Sequence, residues 1–397
     1  MQTVNKMKLR LYNLTWCLAL LAMALPARAQ KAKPAPAPCP SEVQLNLNTD
    51  CVATLAQTSA IAELQKLQNS GVLADLNLEL DNMKLDIGQN GELLQINQNA
   101  ETSYDAEKRK TFEKTYKVNS ADMLSIQNKF GQVKVNTWAK NEIQVKVDII
   151  ARAATEAKAQ EILEKIDIVD SRSDNTISVV TKMDPMRVSG NSNKSFEINY
   201  TVYMPESNAL TLKNSFGDVN LASLKGKTNI NVSYGALKTE RLNSNDNNVK
   251  VTYGSGNCGY INGGQIVLAY GDLYVGGANG LKGSASYGNF KVGQLSEEMD
   301  MTFKHGTFKV DNVSKSFKKI ALNSNYGTVS MNFDDNSAFN FDVNVQFGDF
   351  KVDKSLVNIT SLEKSYTSAE YKGKFGDSSP KGVVSVSSKF GDVRFTK

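Results

Sequence analysis

Leu210-Thr211-Leu212-Lys213-Asn214-Ser215-Phe216-Gly217-Asp218-Val219-Asn220-Leu221 sets an aromatic residue and a glycine between two alternating apolar runs. The phrase returns at once as Ile230-Asn231-Val232-Ser233-Tyr234-Gly235-Ala236-Leu237 and again as Val249-Lys250-Val251-Thr252-Tyr253-Gly254. Later copies stand at Tyr270-Gly271, Tyr287-Gly288, His305-Gly306, Tyr326-Gly327, Phe347-Gly348, Phe375-Gly376 and Phe390-Gly391, and an early one at Phe130-Gly131. From Phe216 the spacing is mostly 17–21 residues, a period that calls for a repeat architecture.

Parity within the phrase predicts what each copy builds. Apolar residues sit four and two positions before the aromatic, as in Ile266 and Leu268 or Val343 and Val345, which is strand alternation with the aromatic on the inward face. Past the glycine the apolar positions move to three and five after the aromatic, as in Val219 and Leu221 or Phe308 and Val310. A change of parity needs a corner, and glycine takes positive φ without a Cβ clash. Gly131, Gly217, Gly235, Gly254, Gly271, Gly288, Gly306, Gly327, Gly348, Gly376 and Gly391 are therefore expected as structural corners between paired short strands. One such unit buries too little to offset its ordering entropy, whereas a stack shares ladders and a core. The expected fold is mainly β, a β-solenoid or β-roll-like stack.

The rest of the chain frames that domain. Residues 1–29 have a basic start, an apolar run from Leu14 to Leu25 and the small residues Ala27 and Ala29, the anatomy of a cleaved signal peptide. The run is shorter than a membrane span requires, so the mature chain is read as exported with no transmembrane segment, in the periplasm rather than at the cell surface. Of the +5 formal charge, Lys6, Lys8, Arg10 and Arg28 belong to that segment, and the near-neutral remainder gives no argument for nucleic acid. Residues 30–40 read as a proline-rich linker. Residues 41–111 form an N-terminal segment read as helical: Leu73, Leu76, Leu80, Met83 and Ile87 are spaced as on one helix face, although Leu76, Leu78 and Leu80 also alternate as in a strand. It is a candidate cap or oligomer contact. Cys39 and Cys51 are near enough to close a small loop in an oxidising compartment, and Cys258 falls on an inward position. The repeat domain is placed at 112–397, with an α/β insertion at 141–209 whose helix starts at Thr155 and buries Ala159, Ile162, Leu163 and Ile166.

Catalytic chemistry is nearly absent from the sequence. His305 is the only histidine and occupies an aromatic slot of the repeat, which handicaps every histidine-based triad or metal site. No phosphate-loop motif is present, and no cofactor is expected. Asp218, Asp272, Asp349, Asp377 and Asp392 each fall two residues past an aromatic; turn chemistry explains a carboxylate there, with calcium binding or glycan hydrolysis as rarer alternatives. Four residues past the aromatic, Lys134, Lys238, Lys291, Lys309, Lys351 and Arg394 recur in six of eleven copies. Stacking would align them as a stripe for an anionic polymer, or as outward lysines that blunt sheet aggregation.

The block from Leu124 through Phe130-Gly131 to Trp138, the strand-helix-strand insertion with Ala153-Ala154-Thr155-Glu156-Ala157, Tyr200-Thr201-Val202-Tyr203-Met204-Pro205 and the serial aromatic-glycine repeats resemble the "putative adhesin" family of exported bacterial β-strand-repeat proteins. The resemblance covers about 112–397. It implies a β-solenoid-like domain in the cell envelope with no established enzymatic activity and brings no functional residues with it. The expected function is binding of an envelope glycan or protein, with a structural or signalling periplasmic role through the N-terminal segment as the alternative.

Overall fold

The computed structural model describes residues 105–185 and 194–397, all within one compact unit. The signal peptide, the linker, the Cys39–Cys51 loop and the helix expected between 53 and 96 lie outside the described residues. Twenty-three strands form one sheet, nearly closed round a single apolar core. The strand Ala106–Lys117 begins six residues before the expected boundary at 112.

The repeats pair in parallel with one another, and every inward position meets its equivalent in the next repeat. Ile230 lies beside Leu212 on one side and Val249 on the other, and Val249 beside Ile266. Past the bend, Leu237 lies beside Val219, and Leu273 beside Gly256 and Phe290. The two inward positions on either side of the bend are buried almost throughout, with Phe350 and Val352 half-buried at one end. Alternation thus does what period-2 patterning demands of a strand with one apolar face.

Spatial order departs from chain order at both ends. The last strands, Gly382–Lys389 and Val393–Thr396, insert between Lys319–Phe333 and the strands Phe339–Gln346 and Phe350–Lys351. At the other end, Thr176–Met183 and Lys194–Pro205 add parallel strands beside Met123–Lys129 and Val133–Trp138. Glu142–Ala153 and Ala106–Lys117 continue one of these ladders in antiparallel pairing. The helix Glu156–Glu164 is capped by the Thr155 hydroxyl, which accepts from Lys158 N, and buries Ala159, Ile162 and Leu163.

Three expectations are corrected here. The aromatic rings face outward, and it is the aromatic residue that takes positive φ at every bend, the glycine doing so as well only at Gly271 and Gly306. Phe375-Gly376 is not a copy of the corner at all: Phe375 is fully buried on a strand that pairs antiparallel with Phe339–Gln346.

Candidate functional site: an exposed ring column

Ten residues hold φ between 53° and 61° at equivalent bends: Phe130, Phe216, Tyr234, Tyr253, Tyr270, Tyr287, His305, Tyr326, Phe390 and Phe347, in spatial order. Consecutive rings stack with centroids 4.7–5.1 Å apart and planes within 9° of parallel. The nine steps make a column roughly 45 Å long, set by the strand spacing of the ladder beneath. Phe196 closes one end edge-on against Phe130. Eight of the ten rings are 44–54% exposed.

Glycine follows each ring for want of space. A Cβ on Gly217 would lie under 3.0 Å from the carbonyl oxygen of Gly131, and the same contact runs from Gly235 to Gly217, Gly254 to Gly235 and onward to Gly391 and Gly348. Of the ten column glycines only Gly271 and Gly306 have φ in the left-handed region. A glycine spine of close backbone approach therefore underlies the ring column, one rung per repeat. Two buried amides tie down its first rungs: Asn128 Nδ2 donates to Ile198 O and Asn214 Oδ1, and Asn214 Nδ2 to Gly131 O and Gly217 O.

Left-handed backbone costs a non-glycine residue roughly 1–2 kcal/mol, and asparagine or glycine would be the undemanding choice. A stacked aromatic pair returns about 0.5–1.5 kcal/mol beyond its buried area. These are of one size, so the column sustains itself only when rungs are in register. His305 is one rung, 4.7 Å from Tyr287 and 4.9 Å from Tyr326.

The two flanks of the column differ. On one, Asp218 accepts from Ala236 N, Asp272 from Asn289 N and Asp392 from Asp349 N, so these carboxylates cap amides of the neighbouring repeat. Asp377 lies away from the column beside Lys374, whose Nζ donates to its carbonyl oxygen. Past that flank the row expected to be cationic runs Lys134, Asn220, Lys238, Asn257, Tyr274, Lys291 on paired strands, with Lys309, Ser330, Arg394 and Lys351 beyond. Lys291 and Lys309 share Asp311 at 2.7 and 2.9 Å, and Lys351 pairs with Asp392. The row is thus interrupted by neutral residues and partly neutralised. Asp311 is partly desolvated, which opposes ionisation, but its bonds from Lys291 and Lys309 outweigh this and hold its carboxyl below the ordinary range. Lys238, Asn257, Tyr274 and Lys291 line a shallow depression beside the tyrosine rungs.

Cys258 is buried, and burial pushes its thiol up to about 11, the behaviour of an inert core residue. Among the described residues no group of three or more His, Cys, Asp or Glu side chains is placed to hold a metal ion. No helix among them is long and apolar enough to cross a membrane. Sequence reasoning found the rungs but turned them inward.

No family model and no curated protein matches the chain. It is similar to solved structures named as a "putative adhesin" from Parabacteroides distasonis (11% identity over 72% of this chain and 97% of that one, TM-score 0.38) and a "putative adhesin" from Bacteroides fragilis (11%, 72% and 97%, TM-score 0.32). A further one is named as a "putative lipid binding protein" from Parabacteroides distasonis (11%, 72% and 97%, TM-score 0.26). At these scores the likenesses carry no functional argument, which must come from the geometry.

Proposed function

We propose that the chain is a non-enzymatic, exported envelope protein, a β-solenoid of aromatic-glycine repeats whose exposed wall binds another macromolecule as an adhesin would, on the periplasmic side. The observation that supports this is the ring column. Eight half-exposed rings in one line offer on the order of 800 Å² of aromatic surface at about 100 Å² each, beyond the few hundred Å² typical of the largest apolar patch on a monomer. Because each interior ring covers its neighbours' faces, the column offers edges. A sugar stacks on a ring face, so the column suits protein side chains better than glycan.

The test is retention of a cell-envelope protein fraction on the immobilised chain, compared with the variant Tyr253→Asn/Tyr270→Asn/Tyr287→Asn. Asparagine tolerates left-handed backbone, so the fold should survive. The wild type should retain material that the variant releases; equal retention by both overturns the reading.

One observation favours a narrower second reading. Lys238 pairs with no acid among the described residues and lines the depression with Tyr274 and Lys291, although Asp272 stands there too and Lys291 already pairs with Asp311. An anionic glycan bound there would be lost at low salt in Lys238→Glu/Lys291→Glu but not in the tyrosine variant. Assembly through residues 41–111 remains a separate structural proposal, tested by deleting 41–100 and following oligomer size.

A further inference from the structure

Every interior ring of the column has both faces covered by its neighbours, as Tyr270 has by Tyr253 and Tyr287. Tyr274, four residues further on and 39% exposed, does not. No aromatic ring among the described residues stacks on it, and the adjoining repeats set Asn257 and Lys291 beside it. Lys291 Nζ lies 5.7 Å over one face of the ring and is held by Asp311 at 2.7 Å. The Tyr274 hydroxyl leans over Gly293 of that same repeat, where a Cβ would lie 3.0 Å from it. The other face therefore looks back across Asn257 towards Lys238, two strand spacings or about 9.6 Å away. The column beside it stacks rings at half that interval, so the row is short of one ring.

We propose that this gap takes one hexopyranose unit of a glycan, its C–H face on Tyr274 and its hydroxyls on Ser255, Asn257, Asp272 and Lys238. The proposal rests on the narrower reading of the depression as a glycan site and names what is recognised there, a ring face instead of a net charge. The depression holds 530 Å³, inside the range of about 300–1,000 Å³ usual for ligand sites. Its floor is Ser255, Gly256 and Asn257, with Asp272 and Asn289 at the rim. Ser255, Asn257 and Lys238 are exposed, and their side chains have no hydrogen-bond partner among the described residues. Asp272 spends one carboxylate oxygen on Asn289 N and Nδ2 and keeps the other. Donors and acceptors thus stand together beside an open ring face, and sugar hydroxyls both donate and accept. A lipid chain would leave those polar groups unpaired on its arrival. Lys238 and Asp272 offset each other and Lys291 is already paired, so neutral and acidic sugars are both admitted.

The experiment is calorimetric titration of the full chain with two hexamers, one of β-1,4-linked glucose and one of β-1,4-linked glucuronic acid, with circular dichroism to confirm folding. The two probes share a ring face and differ in charge. The wild type should bind both, and high salt should leave the glucose hexamer bound, since screening acts on charge alone. Tyr274→Ala should weaken both by roughly tenfold, the worth of one aromatic stacking contact. Tyr274→Phe keeps the face and should stay within about twofold of wild type. Asn257→Leu fills the gap in front of an intact ring and should abolish binding. If neither hexamer binds at about 5 mM, or if Tyr274→Ala binds as wild type does, the proposal is overturned. Binding of the acidic hexamer alone, lost in Lys238→Glu/Lys291→Glu and indifferent to Tyr274→Ala, overturns it while keeping the anionic reading. Binding of the glucose hexamer that needs Tyr274 but survives the charge reversal supports it and removes the anionic reading.

Discussion

Tyr253-Gly254 and Phe375-Gly376 are the same phrase with opposite outcomes. Tyr253 stands half-exposed at φ 53°, stacked 5.0 Å from Tyr234 and 4.8 Å from Tyr270. Phe375 is fully buried against Phe339 and Phe333, and its glycine has φ 75°. Around Tyr253 the repeats on both sides are parallel and in register, so a neighbouring glycine carbonyl lies directly beneath and a neighbouring ring directly beside. Around Phe375 both neighbours run antiparallel, and no equivalent bend is there to stack on. The dipeptide permits the corner; the neighbouring strand decides whether it forms.

If that is right, the two sites should break differently. Phe375→Ala empties a packed cluster and should cost about 3–5 kcal/mol, read as a fall in the urea midpoint with the slope unchanged. A loss within about 1 kcal/mol would mean that Phe375 is a column rung that has merely turned inward.

Gly254→Ala comes next. Its Cβ would be forced against Gly235 O, and a backbone oxygen in a parallel ladder cannot step aside. A cost of about 1–3 kcal/mol, at the upper end of that range, is expected. Gly280→Ala, where nothing lies within 4 Å, is the control and should change stability by no more than about 0.5 kcal/mol. Equal effects at the two positions would remove close approach as the reason for the spine.

Tyr253→Gly should do less. It surrenders two stacking contacts, about 0.5–1.5 kcal/mol each, and relieves roughly 1–2 kcal/mol of left-handed strain, so the net change should stay within about 1 kcal/mol. A loss as large as that of Gly254→Ala would show that rings, not glycines, hold the repeats in register.

Much of this was legible in the sequence, for reasons the same two sites expose. Period-2 alternation identifies Val249, Val251, Ile266 and Leu268 as core because it depends only on the strand itself. The mainly β class and the helix after Thr155 are local in the same sense. The outward turn of Tyr253 was not legible, because it depends on a glycine carbonyl supplied by another repeat. The insertion of Phe390 between Tyr326 and Phe347 was hidden for a similar reason: chain order carries no trace of which strand fills a gap. The candidate cation row was misjudged at Lys291, whose partner Asp311 belongs to the following repeat.

A last comparison sets the middle of the molecule against its first end, where the seam between the two ladders is held by charge. The strands Ala106–Lys117 and Ile166–Ser173 face each other without pairing as a ladder, and Lys110–Asp167 at 2.8 Å and Lys114–Asp170 at 2.6 Å join them. Tyr116 adds its hydroxyl to Asp170 at 2.9 Å. The bond from Lys114 holds the Asp170 carboxyl below its ordinary value against partial burial, and burial, aided by Asp170, pushes the Tyr116 hydroxyl up. A carboxyl with a depressed folded pKa contributes stability that is present above its unfolded value, near 4, and is lost as pH falls through the folded value. Asp170→Asn should therefore cost about 1 kcal/mol or less at neutral pH, since Lys114 is half in solvent. The gap between variant and wild type should close as urea midpoints are followed below pH 4, and a gap that persists to pH 2 would mean that Asp170 acts through packing instead of charge. Tyr253→Gly, with no titrating partner in the column beside it, should show no such closure, which separates a seam held by ions from one held by stacked rings.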